Sequence, residues 1–283
     1  MIQILWVLLV VASSCSLMGS LLLQRESLMV ADAISHTILL GIVIAYYFVG
    51  DLSSPWLIVG ATLFGVITVV SIEVLVKTGR IANDAAIGLV FPFFFAIAVL
   101  IISKYYTNVH LDIDMVLLGQ VELSPLKRTE LWGTPLPTAF IQGSLVLMLN
   151  LGFILITYRS LKISLFDRIF AETIGIRVNI LDLILMTLVS LTAVTSFESI
   201  GAILVIALMA APAMTARLLV RTFPQLLIVS VLVAMLNSTL GYYIGLYLDT
   251  SISSMVAVIS FISFMLVFIF KTIRKLKIKQ VNA

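Results

Sequence analysis

Nine apolar runs, most of them close to twenty residues long, follow one another along this sequence: 2–23, 28–49, 55–76, 84–103, 136–157, 180–197, 200–219, 224–247 and 252–270. About 20 apolar residues are what a helix needs to cross the hydrocarbon of a bilayer. Barrel strands would be about half as long and would alternate. Of the 283 residues, 61% are hydrophobic and only 11% charged, against roughly 25% charged in an ordinary soluble domain. A soluble fold of this size could not bury so much apolar surface, so lipid must be the solvent. The expectation is an all-α, polytopic membrane bundle forming a single domain over 1–283. The first run lacks a basic leader and is read as a retained span. The runs 180–197 and 200–219 are separated only by Phe-Glu-Ser, which fits a tight hairpin or a broken, re-entrant segment; the latter would leave eight spans.

Lys and Arg set the expected orientation. With the basic tail KTIRKLKIK inside, the same side receives Arg25, Lys77, Arg80, Arg159, Lys162, Arg168, Arg177, Arg217, Arg221 and five tail residues, fourteen of the seventeen Lys and Arg. Lys104, Lys127 and Arg128 remain outside. The positive-inside rule therefore puts the amino terminus outside and the carboxyl terminus in the cytoplasm. Two loops are long, an outer one over 104–135 and an inner one over 158–179. The outer loop has short apolar pieces that suit a helix lying at the interface. The inner loop contains LFDRIFAETIG, which fits a short helix with Asp167 at or near its start and Gly175 at its end. Leu165, Phe166, Ile169, Phe170 and Ile174 give that helix an apolar face, fit either for the membrane surface or for a cytoplasmic partner.

The stretch DAISHTILLG carries the chemistry. Asp32 and His36 are four apart, so they share one face of a helix inside a span. Ionisable groups placed in hydrocarbon are costly and are functional candidates by default. Carboxylate and imidazole together suit a first-row divalent cation, or a proton relay, or a packed hydrogen-bonded pair. Two ligands cannot enclose a metal ion, whereas a second copy of the helix would supply four. Elsewhere the polar residues have plainer readings. Glu73 and Lys77 fit an ion pair. Asn150, Asn237 and Ser238 suit either a path lining or helix-to-helix hydrogen bonds. Gly241 and Gly245 allow close helix approach, within or between subunits. Pro92 and Pro212 would kink their helices. His110, Asp112 and Asp114 form an outer cluster best read as a solvated loop, and the single cysteine, Cys15, is expected to pack. The sequence has no G-x-x-x-x-G-K-[ST], H-E-x-x-H or G-x-S-x-G, so no ATPase or common hydrolase signature of its own.

Four separated stretches carry a resemblance. LLLQRESLMVADAISHTILLGIVIA is similar to the S-L-x-x-D-A-x-S-H-x-x-L-x-G signature of membrane permease subunits of zinc- and manganese-type ABC importers. LLGQVELSPLKRTELWG resembles that family's outer segment, LKISLFDRIFAETIG its F-D-x-x-x-A-x-x-x-G coupling segment, and SIGAILVIALMAAPAMTARLL its G-x-x-L-V-x-A-x-x-x-x-P-A-x-T-A-R stretch. They lie in family order from Leu21 to Leu219. The region LDTSISSMVAVIS departs from the Pro-Ser/Thr-Gly-like turn often found before the last span. The resemblance implies a homodimeric permease in a bacterial cell membrane, two cytoplasmic ATPase subunits and an extracellular metal-binding protein that delivers the ion. It implies Asp32 and His36 as metal ligands, and a coupling helix carrying Asp167, Phe170, Ala171 and Gly175. The cargo expected is manganese, with zinc or iron as alternatives, and no permanently bound cofactor. A self-sufficient proton-coupled secondary transporter and a non-transporting scaffold are the other classes the residues admit.

Overall fold

The computed structural model describes residues 2–51, 54–105, 121–124, 127–131 and 134–281. The chain folds as α1 (Ile2–Gln24), α2 (Met29–Val49), α3 (Trp56–Lys77) and α4 (Asn83–Tyr105). A 3₁₀ turn (Val121–Leu123) and a hairpin of β1 (Arg128–Leu131) and β2 (Thr134–Pro137) follow. Then come α5 (Thr138–Phe166), α6 (Arg168–Thr173), α7 (Val178–Ile200), α8 (Ala202–Leu219), α9 (Phe223–Tyr247) and α10 (Ile252–Val281). Among the described residues nine helices, all but α6, are long and apolar enough to cross a membrane. The nine spans expected from the sequence are therefore all present as helices.

Hydrocarbon supplies no hydrophobic force between helices, so close backbone approach and interhelical hydrogen bonds must hold them together. The run ASSCSLMGS makes α1 the hub for this reason. Its span is 78% buried, against 22% for those of α4 and α10, and it packs on α5, α7, α8 and α9. At Gly19 an added Cβ would lie 1.9 Å from the Met209 carbonyl oxygen of α8, so only glycine permits that contact. Ser20 donates to Ser230 of α9 at 2.8 Å. Asn150 of α5 donates to Ser14 at 2.8 Å and to Thr192 of α7 at 2.9 Å. Such bonds contribute roughly 0.6 kcal/mol each on average. Most other hydroxyls bond back to their own helix, as Thr37 does to the carbonyl of Ala33. Gly241 and Gly245 press α9 on α10, where an added Cβ would meet the Val256 Cα at 2.6 Å and the Ile252 Cα at 3.3 Å. The G-x-x-x-G pair thus serves packing within the chain.

Ion pairs and caps sort the helix ends onto two faces. On one face, Arg25 after α1 meets Asp182 near the start of α7, and Arg217 near the end of α8 donates to the Leu23 carbonyl at 3.4 Å. On the other, Lys127 meets Glu198 near the end of α7 at 2.9 Å, and Glu122 Oε1 accepts from the Ile252 amide at the start of α10 at 2.7 Å. So α7 crosses the bundle and α8 returns. The re-entrant alternative is not adopted, and Phe-Glu-Ser lies inside α7. Gly201 alone makes the turn, with φ 81° and ψ 156°, a conformation essentially restricted to glycine.

One other expectation is corrected. The fifth span was expected to end at 157, but α5 continues without a break to Phe166. Apolar contacts carry it through the basic stretch: Leu161 is buried and the Tyr158 ring packs at a tilt against Phe223 with ring centres 5.8 Å apart. The inner loop is correspondingly shorter, and LFDRIFAETIG divides into the end of α5 and α6. The described part of the outer loop holds the β1–β2 hairpin, antiparallel with Arg128 opposite Pro137 and Leu131 opposite Thr134. An interfacial helix there was expected from pieces that largely lie outside the described residues, as do His110, Asp112 and Asp114.

In a Cys15→Ser background, single cysteines at Lys127 and Thr250 should react with an impermeant thiol reagent from one side of the membrane, and cysteines at Gly79 and Glu172 only from the other. Labelling of all four from one side would break the nine-crossing arrangement. Gly201→Ala should lower the stability of the detergent-solubilised protein by about 1–3 kcal/mol. Gly88→Ala should leave it unchanged or slightly higher, because nothing lies within 4 Å of the added Cβ. Equal melting temperatures for the two variants would remove the argument for strain at Gly201.

Candidate functional site

Asp32 lies in the first turn of α2 and His36 one turn further on. The helix forms here because the Ala-Ile and Thr-Ile-Leu-Leu positions bury against neighbours: Ala33, Ile34, Thr37 and Ile38 are all buried. That leaves Asp32 and His36 on the opposite, open side. Their side chains are 37% and 32% exposed, and Asp32 Oδ1 stands 3.7 Å from His36 Nε2. This is too long for a hydrogen bond. It leaves both atoms able to turn toward a common third partner. Ser35 donates back to the Asp32 backbone carbonyl rather than to its carboxylate.

The imidazole is held from the side by α4. Phe91 stacks on it with ring centres 5.3 Å apart, and Phe95 meets it edge-on at 5.9 Å. These two aromatics, one turn apart in FPFFFA, fix the plane of the ring and screen one side of it. Sequence reading missed them, since nothing in a phenylalanine-rich span marks which rings face a histidine. Among the described residues no group of three or more His, Cys, Asp or Glu converges here or elsewhere. The pair thus stands as one carboxylate and one imidazole without a further ionisable donor among the described residues.

The segment around Asp167 and Gly175 is built as its sequence suggests. Asp167 leaves the helical region at φ −146° and its Oδ1 accepts from the Phe170 amide at 2.9 Å, capping α6. Gly175 takes the left-handed conformation at φ 87°, and the Ile176 amide closes on the Ala171 carbonyl at 3.0 Å, the usual glycine-terminated helix end. Ala171 is fully buried, while Ile169, Phe170 and Ile174 are 79%, 54% and 50% exposed. The result is a short, doubly capped helix that shows an open apolar face.

The remaining polar candidates resolve individually. Glu73 and Lys77 pair at 3.3 Å. Asn150 bonds two other helices, as above. Asn237 and Ser238 are fully buried, their side chains without a hydrogen-bond partner among the described residues. Cys15 is buried and donates weakly to Ser196 at 3.6 Å. Pro92 and Pro212 lie inside α4 and α8. The atypical stretch before the last span holds the turn from α9 to α10, with Asp249 at φ 52°. Glu122, from the outer motif, caps the helix that follows. Asp182 was overlooked in the sequence, although an ionisable residue inside a span was signal enough.

Several transport-system membrane proteins are similar to this chain. The chain is 38% identical over 92% of its length to the manganese transport system membrane protein MntD of Bacillus subtilis, covering 88% of that protein. It is 38% identical over 95% of its length to the zinc transport system membrane protein TroD of Treponema pallidum, covering 73% of it. It is 30% identical over 93% of its length to the chelated iron transport system membrane protein YfeD of Yersinia pestis, covering 82%. Among solved structures, PsaBC from Streptococcus pneumoniae in complex with Fab matches with a TM-score of 0.77 and 25% identity, over 94% of this chain and 90% of that one. Residues 1–271 match the ABC 3 transport family, and the chain, with nine membrane-length helices among the described residues, belongs to that family as a multi-pass membrane permease subunit.

Proposed function

We propose that this permease carries divalent transition metal ions inward, manganese foremost, as a homodimer powered by two separate ATP-binding subunits and fed by an extracellular metal-binding protein. The observation that carries the reading is the Asp32–His36 pair: one carboxylate and one imidazole, 3.7 Å apart, on an open side of α2 and braced by Phe91 and Phe95. A second copy would bring the donors to two carboxylates and two nitrogens. Two carboxylates balance the charge of a divalent cation, and the mixed oxygen and nitrogen set suits Mn²⁺ while admitting Zn²⁺ or Fe²⁺. The designations of the relatives span those three metals. The amino terminus is placed outside and the carboxyl terminus in the cytoplasm by the distribution of Lys and Arg.

In this reading α6 is the coupling helix. Its exposed Ile169, Phe170 and Ile174 would seat in a groove of the ATP-binding subunit, with Asp167 and Gly175 holding the helix in shape and Ala171 anchoring it to the bundle. Energy from ATP would then alternately assemble and separate the two half-sites.

His36→Ala and Asp32→Ala should each cut Mn²⁺ uptake by more than the roughly 10–100-fold that loss of a group merely orienting a ligand costs, in protein that still inserts. Asp32→Asn should fail as well, because it keeps the shape but not the charge. His36→Cys should shift residual uptake toward Zn²⁺, the thiolate preferring the softer ion. Transport by His36→Ala at the wild-type rate, at matched expression, would remove the ligand assignment. Replacing Asp167 by Ala removes a cap worth about 1 kcal/mol, and replacing Gly175 by Val forces a β-branched residue into the left-handed region. Both should weaken co-purification of the ATP-binding subunit and raise ATP use per ion moved. Normal assembly and transport in both would mean that α6 does not carry the contact.

A further inference from the structure

A cluster of charges ties α6 to the turn that precedes α2. Asp182 lies in the second turn of α7, with its side chain only 7% exposed. Two guanidinium groups meet its Oδ2. One belongs to Arg25, in the turn between α1 and α2. The other belongs to Arg168, the first residue of α6, at 3.1 Å. Arg168 is held further by Asn179, whose Oδ1 accepts from Nη2 at 2.9 Å, and by Glu172 at 3.4 Å from Nε. Arg25 Nη1 is itself buried.

A buried ion cluster is weak evidence for stability, since apolar residues of the same volume often do as well. Its distinguishing property lies elsewhere. Asp182 and Arg25, with side chains 7% and 14% exposed, would each be an uncompensated buried charge without the other, so they stay together when the segments that carry them move, and Arg168 joins them from the half-exposed rim. Those segments are significant. On one side of Asp182 is α6, with its open apolar face. On the other is Arg25, a turn ahead of α2, which carries Asp32 and His36 in its first two turns. Beside the cluster, between α3 and α7, a cavity of about 140 Å³ is lined by Val66, Val69, Glu73, Asn179, Asp182 and Met186. The cluster therefore has room to shift without breaking.

We propose that Asp182 is a positioning residue that transmits movement of α6 to α2, so that displacement of the coupling helix opens and closes the Asp32–His36 half-site. The proposal rests on the importer reading above. Contiguous ion-paired and packed segments of this kind are a physical route for coupling between separated sites.

The test uses the complete transporter in proteoliposomes, with ATP hydrolysed and Mn²⁺ delivered measured together. Asp182→Asn and Arg25→Met should still bind the ATP-binding subunit and hydrolyse ATP to within about twofold of wild type. The Mn²⁺ moved per ATP should fall about tenfold, within the range usual for a coupling free energy. Asp182→Glu, which keeps the charge, should restore most of the ratio. Arg25→Met combined with Arg168→Met should be no worse than the more severe single change, because both act through one carboxylate. An unchanged ratio in Asp182→Asn, losses that add in the double variant, or losses that track a falling melting temperature would each overturn the proposal. A second readout separates it from the importer reading. Spin labels on cysteines at Met29 and Gln225, in a Cys15→Ser background, should change separation on ATP binding in wild type but not in Asp182→Asn. If wild type moves no Mn²⁺, the importer reading falls, and the spin-label result alone then decides: equal changes in both proteins would refute the link.

Discussion

In hydrocarbon nothing but protein can satisfy a buried polar group, and apolar side chains gain little by leaving lipid for one another. Both facts shape α1. Its small residues bring four other helices to within backbone contact, and its serines, with Asn150 and Ser230 opposite, supply hydrogen bonds that lipid cannot. Gly19 is the clearest instance, because the Met209 carbonyl occupies the space a side chain would need. With α1 fixed in the middle, α5, α7, α8 and α9 take their places around it. The open side of α2 and the exposed span of α4 are left at the margin, where the Asp32–His36 pair lies.

That pair depends on a division of roles between two helices. The α2 helix sets the spacing of the two donors, and α4 sets the plane of the imidazole through Phe91 and Phe95. Among the described residues neither side chain accepts or donates a hydrogen bond within 3.5 Å, so both remain open to a further partner. At the other end of the bundle Asp182 is already met by cations, the guanidinium groups of Arg25 and Arg168 at its Oδ2. Two aspartates in membrane helices thus differ in role because their surroundings differ: one faces an opening beside aromatic rings, the other is enclosed by guanidinium groups.

The membrane helices were legible because a span must be long and apolar whatever it packs against. The Asp32–His36 pair was legible because an aspartate and a histidine one turn apart are conspicuous in such a setting. The α6 caps were legible because Asp167 and Gly175 act locally. What stayed hidden was decided at a distance or by shape. Arg159 and Lys162 read as a loop, yet Tyr158 and Leu161 bury on the same helix and carry it onward. Gly201 needed a backbone conformation, not a polar break, to turn the chain. Arg25, Arg168 and Asp182 are far apart in sequence, so their pairing exists only once the bundle has formed. The same is true of the rings that hold His36.

The unbroken length of α5 has a mechanical meaning. Its 29 residues make a rod about 44 Å long, whereas the hydrocarbon is roughly 30 Å thick. The surplus leads to the Asp167 cap, so α6 is mounted on the tip of a lever, not on a slack tether. A swing of about 10° around the middle of such a rod carries its tip by roughly 4 Å, since half its length is about 22 Å. A flexible loop of the same residues would absorb a push of that size, whereas a rod returns it to the bilayer interior as tilt.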